Sequence, residues 1–163
     1  MFVWAMQVLI EPLVHVSALY LLYVLLYKKD LSFNKKGILF LLYLPLIILI
    51  PTNYILTGFD TGTCLSQEAI YSYYSYVIEI IYTIWLICIG LKRYFSEVNR
   101  QVKNETLYLT AGMIILLLAF SWGAITGSFT EDWNLAQYGL FGMPIFIALL
   151  SYTIVKFKSF NLK

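Results

Sequence analysis

The sequence predicts an all-α integral membrane protein, a bundle of five transmembrane helices with its N-terminus outside and its C-terminus in the cytoplasm. Hydrophobic residues make up 61% of the chain and charged residues 12%, whereas soluble domains carry about 25% charged residues. The apolar residues also fall into five runs, and a helix needs about 20 such residues to cross a bilayer. The runs cover residues about 2–27, 37–56, 69–91, 107–129 and 135–157.

The charged residues between these runs predict the orientation. All eleven Lys and Arg residues fall in the first gap, the third gap or the C-terminal end. The second gap carries Asp60 and Glu68, and the fourth carries Glu131 and Asp132. Because Lys and Arg are retained in cytoplasmic loops, we expect a multi-pass protein of the cytoplasmic (inner) membrane. We expect residues 1–163 to form a single membrane domain.

The first run reads as a transmembrane helix, because it lacks the basic start and small-residue cleavage site of a signal peptide. Pro12 lies inside the first predicted helix, Pro45 and Pro51 inside the second, and Pro144 inside the fifth. A proline removes a backbone donor and clashes with the preceding turn, so each of these helices should bend. The bends are either structural kinks or hinges.

The fourth predicted helix carries Ala119, Gly123 and Gly127 at four-residue spacing. Small residues at this spacing form a flat stripe on which another helix can pack closely. The stripe therefore predicts a helix contact, made either with another helix of this chain or with a second copy of it.

Three ionisable residues lie inside predicted helices: Glu11 and His15 in the first and Glu79 in the third. At 1.5 Å per residue, Glu11 and Glu79 each lie roughly 14 Å deep, and His15 lies one turn from Glu11 on the same face. We expect the three to converge if the first and third helices touch. Asn53, after the second proline of the second helix, completes the set of candidate ligand or proton-site residues.

This set has several interpretations. Ionisable residues inside a membrane are costly and usually functional, so the cluster is a candidate for relaying a proton, sensing pH or binding a ligand. The residues alone favour the alternative, a buried polar cluster in which protonated Glu side chains hydrogen-bond to a neighbouring helix and hold the helices together. We predict no metal, because one His without Cys or a second His is a thin ligand set. We also predict no cofactor, no nucleic-acid partner and no enzymatic activity, since no phosphate-binding loop, CxxC pair, HExxH motif or nucleophilic triad is evident.

Two stretches resemble the N-terminal seven-transmembrane sensor region of bacterial histidine kinases. The end of the chain, from Phe141 through Pro144 and Tyr152 to Leu162, resembles the last helix of that region and its exit toward the cytoplasm. The stretch from Val16 through the lysine loop to Thr52 resembles its third and fourth helices. The resemblance implies a sensor that passes a signal out through its last helix.

The chain departs from that family in two respects. Its sequence predicts five helices, whereas the family has seven. The two missing helices would precede residue 1, and because removing a pair of crossings does not invert the rest, the predicted orientation still agrees with the family. No phosphoacceptor-histidine helix or ATP-binding domain follows, and His15 lies inside the membrane, so we expect no kinase activity from this chain. The expectation is then a stand-alone relative, a truncated sensor, or a sensor whose output domain is on another polypeptide.

Three functions therefore compete. The first is a membrane sensory module without its own catalytic domain, which relays a ligand or membrane signal through the last helix to a cytoplasmic signalling partner. The second is an accessory or structural subunit of a larger membrane complex. The third is a small proton-coupled transporter. It is disfavoured because many carriers are built from internal repeats, whereas the five predicted helices show no repeat. The expected partners are the lipid bilayer, other membrane subunits and a second copy of the chain.

Overall fold

The computed structural model describes residues 2–52, 54, 56–60, 65–68, 72–130 and 133–157. Over these residues the chain is predominantly helical, as predicted. Its helices are α1 (Phe2–Tyr27), α2 (Phe33–Leu49), α3 (Ser72–Ser96), α4 (Arg100–Thr130), α5 (Trp133–Ala136), a 3₁₀ helix (Gln137–Phe141) and α6 (Gly142–Phe157). Two short strands, β1 (Leu56–Asp60) and β2 (Leu65–Glu68), lie between α2 and α3.

Four helical stretches in the described part of the chain are long and apolar enough to cross a membrane, which confirms a multi-pass membrane protein. They cover Ala5–Tyr27, Tyr73–Ser96, Arg100–Thr126 and Asn134–Lys156. These correspond to the first, third, fourth and fifth predicted helices. The second predicted helix is not among them, so five crossings and their orientation stay predictions.

Helix α2 differs from the prediction of a helix over 37–56, because it begins at Phe33 and ends at Leu49. It begins earlier because hydropathy overlooks the polar first turn, where the amides of Lys35 and Lys36 bond to the Ser32 carbonyl. It ends earlier because Pro51 cannot continue the hydrogen-bond ladder. The Thr52 amide and hydroxyl instead donate to the Leu49 carbonyl and close the helix end.

Strands β1 and β2 pair antiparallel within the second gap, for which the hydropathy pattern predicts no secondary structure. The register pairs Phe59 with Ser66 and Asp60 with Leu65, with an irregularity between Leu56 and Gly58. The overlooked signal is the Thr, Gly and Asp content of the second gap, since these residues favour turns. The gap is therefore an ordered connection where the structure describes it.

The described chain divides into two compact units. The first comprises Met1–Ser17 and Leu31–Tyr82, and the second comprises Ala18–Asp30 and Thr83–Lys163. Helices α1 and α3 each contribute residues to both units.

Tyrosine hydroxyls join the helices of the first unit. Tyr43 of α2 donates to the Leu9 carbonyl of α1 over 2.9 Å. Tyr74 and Tyr82 of α3 donate to the Leu42 and Leu39 carbonyls of α2 over 2.8 and 2.9 Å. In a membrane, where water is absent, such bonds satisfy polar groups that would otherwise be left bare.

Two of these carbonyls precede a proline by three residues: Leu9 precedes Pro12, and Leu42 precedes Pro45. A proline removes one backbone bond and pushes the preceding turn open, so the carbonyls of that turn become accessible to a side-chain donor. The expected kinks therefore coincide with the points where neighbouring helices are tied on.

Tyr82→Phe should lower the free energy of unfolding by about 0.5–1.5 kcal/mol, the usual net contribution of one hydrogen bond. The ring of Tyr82 is fully buried and stays in place as Phe, so the loss isolates the hydroxyl. Tyr138→Phe is the matched control, because Tyr138 is exposed. Unfolding of both variants in mixed micelles measures the difference, and equal stability of the two would contradict a structural role for the Tyr82 hydroxyl.

The second unit packs α4 against the segment from α5 to α6. The indole nitrogen of Trp122 donates to the Leu135 carbonyl over 3.0 Å. A Cβ at Gly139 would lie 2.5 Å from the Ala119 carbonyl oxygen, and one at Gly142 would overlap the Ala119 Cβ. The fifth predicted helix, 135–157, is interrupted by a 3₁₀ helix. Gly139 within this 3₁₀ helix and Gly142 directly after it lie against α4.

Candidate functional site

The candidate site begins on one face of α1, where polar residues recur at four-residue spacing. Glu11 and His15 are buried, with 8% and 1% of their surface exposed. Gln7, one turn before Glu11, donates its side-chain amide to Glu11 Oε1 over 2.8 Å. Residues four apart lie above one another on a helix, so Gln7, Glu11 and His15 form one polar stripe.

The imidazole of His15 is oriented by the backbone of its own helix. Its Nδ1 lies 2.9 Å from the carbonyl oxygen of Glu11. A carbonyl oxygen can only accept a hydrogen bond, so Nδ1 carries the proton and donates it. The other ring nitrogen, Nε2, is then an acceptor when the ring is neutral and a donor when the ring is charged.

Glu79 of α3 completes the site across the helix interface. Its Oε2 lies 3.9 Å from His15 Nε2, and only 4% of the Glu79 side chain is exposed. This distance is within ion-pair range but longer than an N–H···O hydrogen bond, which spans about 2.7–3.2 Å. On α3, Ile78 and Tyr82 near Glu79 are fully buried, and Ser75 one turn before it is buried as well, so the carboxyl is shielded from solvent.

The three ionisable residues are therefore all buried, as the cost of a lipid-facing charge predicts. His15 and Glu79 approach one another directly. The expected convergence of Glu11, His15 and Glu79 side chains did not include two contacts that Glu11 makes. Its carboxyl accepts from Gln7, and its backbone carbonyl orients His15. The contribution of Gln7 was missed, and its four-residue spacing from Glu11 was the signal that could have revealed it.

The pair of His15 and Glu79 can share one proton. The proton resides either on the carboxyl, leaving both groups neutral, or on Nε2, giving an ion pair. A buried ion pair loses the solvation of both charges, and a single unpaired buried charge is costlier still. The pair is therefore most stable when it holds one proton, and its geometry should respond when that proton is gained or lost.

The other candidate residues lie elsewhere. Asn53 lies outside the described residues. Ala119 and Gly123 of the small-residue stripe face the segment from α5 to α6, and a Cβ at Gly123 would meet the Ala136 carbonyl oxygen at 3.7 Å. Gly127 is in α4, and its surroundings lie outside the described part of the chain.

The partner of the small-residue stripe is thus within the same chain for the described positions. The partner glycines, Gly139 and Gly142, were missed by the sequence analysis. They lie three residues apart, and on a helical segment residues three apart share a face. Searching for two facing pairs of small residues, rather than one stripe, would have found them.

Within the described residues, no three His, Cys, Asp or Glu side chains are grouped to hold a metal ion.

No protein-family model, curated protein or solved structure matches this chain.

Proposed function

We propose that the protein is a membrane-embedded sensory module without its own catalytic domain, located in the cytoplasmic (inner) membrane. In this proposal a change at the polar site of α1 and α3 is passed through α4 to α6, and α6 presents it to a cytoplasmic signalling partner. The observation that carries the proposal is the buried pair of His15 and Glu79, held on two different apolar helices.

The pair supports a sensory role because it is costly and has two arrangements. Ionisable residues in membrane helices are rare and mark functional sites by default. If the pair only held helices together, a pair of neutral polar residues would do so at lower cost. A shared proton or a small polar ligand can bias the pair between its arrangements, and a switch requires such an element with two states.

Close packing provides a route from α3 to α6. A Cβ at Gly90 of α3 would overlap the Thr110 side chain of α4. A Cβ at Gly142 of α6 would overlap the Ala119 side chain of α4. Helices without room between them move as packed bodies, since cores do not deform continuously. Glu79 and Gly90 lie on the same helix, so a shift of α3 at the site would also act on α4.

The inner end of α6 supports the role of an output helix. The helix runs to Phe157. Near its end, the Lys156 ammonium group donates to the Tyr152 hydroxyl. The ring of Tyr152 packs edge-on against the ring of Tyr108 of α4. The resemblance of this segment to the last helix of histidine-kinase sensor regions points the same way. A cytoplasmic partner or a second copy of the chain would read the position of this end.

The two alternatives have less support. An accessory subunit was favoured by the stripe of Ala119, Gly123 and Gly127, but Ala119 and Gly123 contact helices of the same chain. A small proton-coupled transporter would use the same His15 and Glu79 pair, but it would need the pair to exchange protons with both sides of the membrane.

Glu79→Leu should change the distance between the inner ends of α4 and α6 if the site controls the output helix. Spin labels at Gln101→Cys and Val155→Cys report this distance, because both positions are exposed. Cys64 and Cys88 are replaced by Ser in all samples. Pulsed electron resonance in nanodiscs should show a displaced or reweighted distance distribution in the variant compared with the parent.

Two controls make the result specific. A label pair at Gln101 and Leu118, both exposed on α4, should give the same distances in parent and variant, because the distance between two positions on one helix does not change when that helix moves as a rigid body. Glu79→Gln, which keeps a polar side chain, serves if Glu79→Leu does not fold. Unchanged distances between α4 and α6 in a folded Glu79 variant would overturn the relay.

A further inference from the structure

We infer that the ligand of the candidate site is a proton, held between His15 Nε2 and Glu79 Oε2, and that its uptake draws α1 and α3 together. This inference rests on the proposed sensory function and names the signal that the site reads. Three features of the described residues carry it: the orientation of the imidazole, the gap between the two groups, and the positions of the other ionisable side chains.

The orientation leaves one nitrogen for exchange. Because Nδ1 donates to the Glu11 carbonyl, it keeps its proton in both the neutral and the charged ring. Only Nε2 changes protonation, and it is the nitrogen nearest Glu79. The imidazole is thus held in the less common neutral tautomer, with the lone pair of Nε2 directed toward the carboxyl.

The gap of 3.9 Å between Nε2 and Oε2 allows a mechanical response. A charge-assisted N–H···O bond is about 2.7–2.9 Å long. A proton taken up between the two groups would close the gap by roughly 1 Å. Because His15 and Glu79 lie on different helices, closing the gap moves α1 relative to α3 at this level.

Proton balance favours a single bound proton. With Nε2 bare and Glu79 ionised, the site carries one negative charge. One proton taken from water makes the pair neutral overall, whether it rests on Nε2 or on Oε2. A second proton would leave the imidazolium unpaired. Shielded from solvent, the neutral pair is favoured over either charged state, so the site takes up and releases one proton in its working range.

Other ionisable side chains lie on the three helices around the pair. On α1, the Glu11 carboxyl accepts from Gln7. The tyrosines of α2 and α3, Tyr43, Tyr74 and Tyr82, donate to backbone carbonyls. Lys35 and Lys36 are exposed in the first turns of α2. We assign control of Nε2 protonation to the Glu79 carboxyl, whose Oε2 lies 3.9 Å away.

The chain offers a direct test, because it contains one histidine. Protein labelled with ¹⁵N-histidine and reconstituted in nanodiscs gives ring nitrogen signals from His15 alone. We expect Nδ1 to be protonated throughout, while the Nε2 signal changes from that of a bare nitrogen to that of a nitrogen holding or sharing a proton as the sample is acidified. Glu79→Gln removes the carboxylate that balances the charged ring, so Nε2 should stay bare over the same acidification.

Glu11→Gln is the matched control. Glu11 orients His15 through its backbone carbonyl, which Gln leaves in place, so this variant should keep the Nε2 protonation step and the Nδ1 signal of the parent. Loss of the Nε2 step in Glu79→Gln together with its retention in Glu11→Gln would support the inference.

Three results would overturn the inference, and the first two need no variant. They are a ring whose Nε2 signal never changes with pH, a ring protonated on Nε2 with Nδ1 bare, and a Glu79→Gln protein that titrates like the parent. The sensory proposal is tested separately by the distances between α4 and α6. If those distances change in Glu79→Leu while the ring does not titrate, the module is a sensor for another ligand.

Discussion

Gly142→Ala should lower the free energy of unfolding by about 1–3 kcal/mol, the usual cost of overpacking a well-filled interior. The added methyl group would overlap the Ala119 Cβ and lie 3.4 Å from the Ile115 carbonyl oxygen of α4. Both neighbours are fixed to the backbone and cannot rotate away, so α4 and α6 must separate. Gly142 has an ordinary helical conformation, with φ −67°, so the effect reports close approach rather than a special backbone angle.

Gly112→Ala is the matched control in the same interface. Its Cβ would meet Leu149 and Phe146 at 3.6 Å, which is ordinary van der Waals contact. The variant should be neutral or slightly stabilising, because Ala has the higher helix propensity. Unfolding in mixed micelles compares the two substitutions.

Moving the methyl group from α4 to α6 gives a sharper comparison. Ala119→Gly combined with Gly142→Ala removes the colliding Cβ and should recover most of the lost stability. The same Ala119→Gly change should not rescue Gly139→Ala, because that substitution meets the Ala119 carbonyl oxygen. Equal rescue of both, or a neutral Gly142→Ala, would mean that the helices are not held together at these glycines.

The extent to which this fold follows from sequence depends on the interaction concerned. Helix α1 has the predicted bounds, because an apolar segment in lipid must satisfy its backbone internally. Helix α3 extends beyond the end of its apolar run, through Lys92 and Arg93. Helix α4 begins before its apolar run, at Arg100. Charged residues form helices readily once a neighbouring turn exists, and hydropathy does not record this.

The sequence predicts how deep in the membrane the residues of the candidate site lie, but it does not predict which of them approach one another. Counting 1.5 Å per residue places Glu11 and Glu79 at similar levels. Whether α1 and α3 turn those faces toward each other depends on their packing, so the approach of His15 to Glu79 needed the structure. The tyrosine bonds to the Leu9 and Leu42 carbonyls were unpredictable for the same reason, since donor and acceptor are more than thirty residues apart.

The number of crossings depends on α2, and so does the interpretation of the basic residues. With 17 residues, α2 is about 25 Å long, whereas the hydrocarbon core is about 30 Å thick. If α2 crosses, the first and third gaps lie on the same side, together with all their Lys and Arg residues. If it does not, the basic residues of those two gaps are divided between the two sides. Thinning the bilayer around a short helix costs only fractions of a kcal/mol per Å, so the one-sided charge favours a crossing.

Single cysteines at Asn34 and Gln101 should therefore both resist a membrane-impermeant thiol reagent in intact cells and both react after the cells are opened. Both positions are exposed. Asn34 lies in the first basic gap and Gln101 in the third. Cys64 and Cys88 are replaced by Ser in these two samples. In a third sample, which keeps Cys64 and carries Cys88→Ser, the second gap should be labelled from outside.

The comparison distinguishes every arrangement of α2. Five crossings put Asn34 and Gln101 on one side and Cys64 on the other. Four crossings put Asn34 and Cys64 together and Gln101 opposite them, whichever way the N-terminus points. Labelling of Asn34 and Gln101 from outside, with Cys64 protected, would mean five crossings in the reverse orientation. Because a side chain is either accessible or shielded by the bilayer, each outcome is close to all-or-none, and opposite results at Asn34 and Gln101 would show that α2 does not cross.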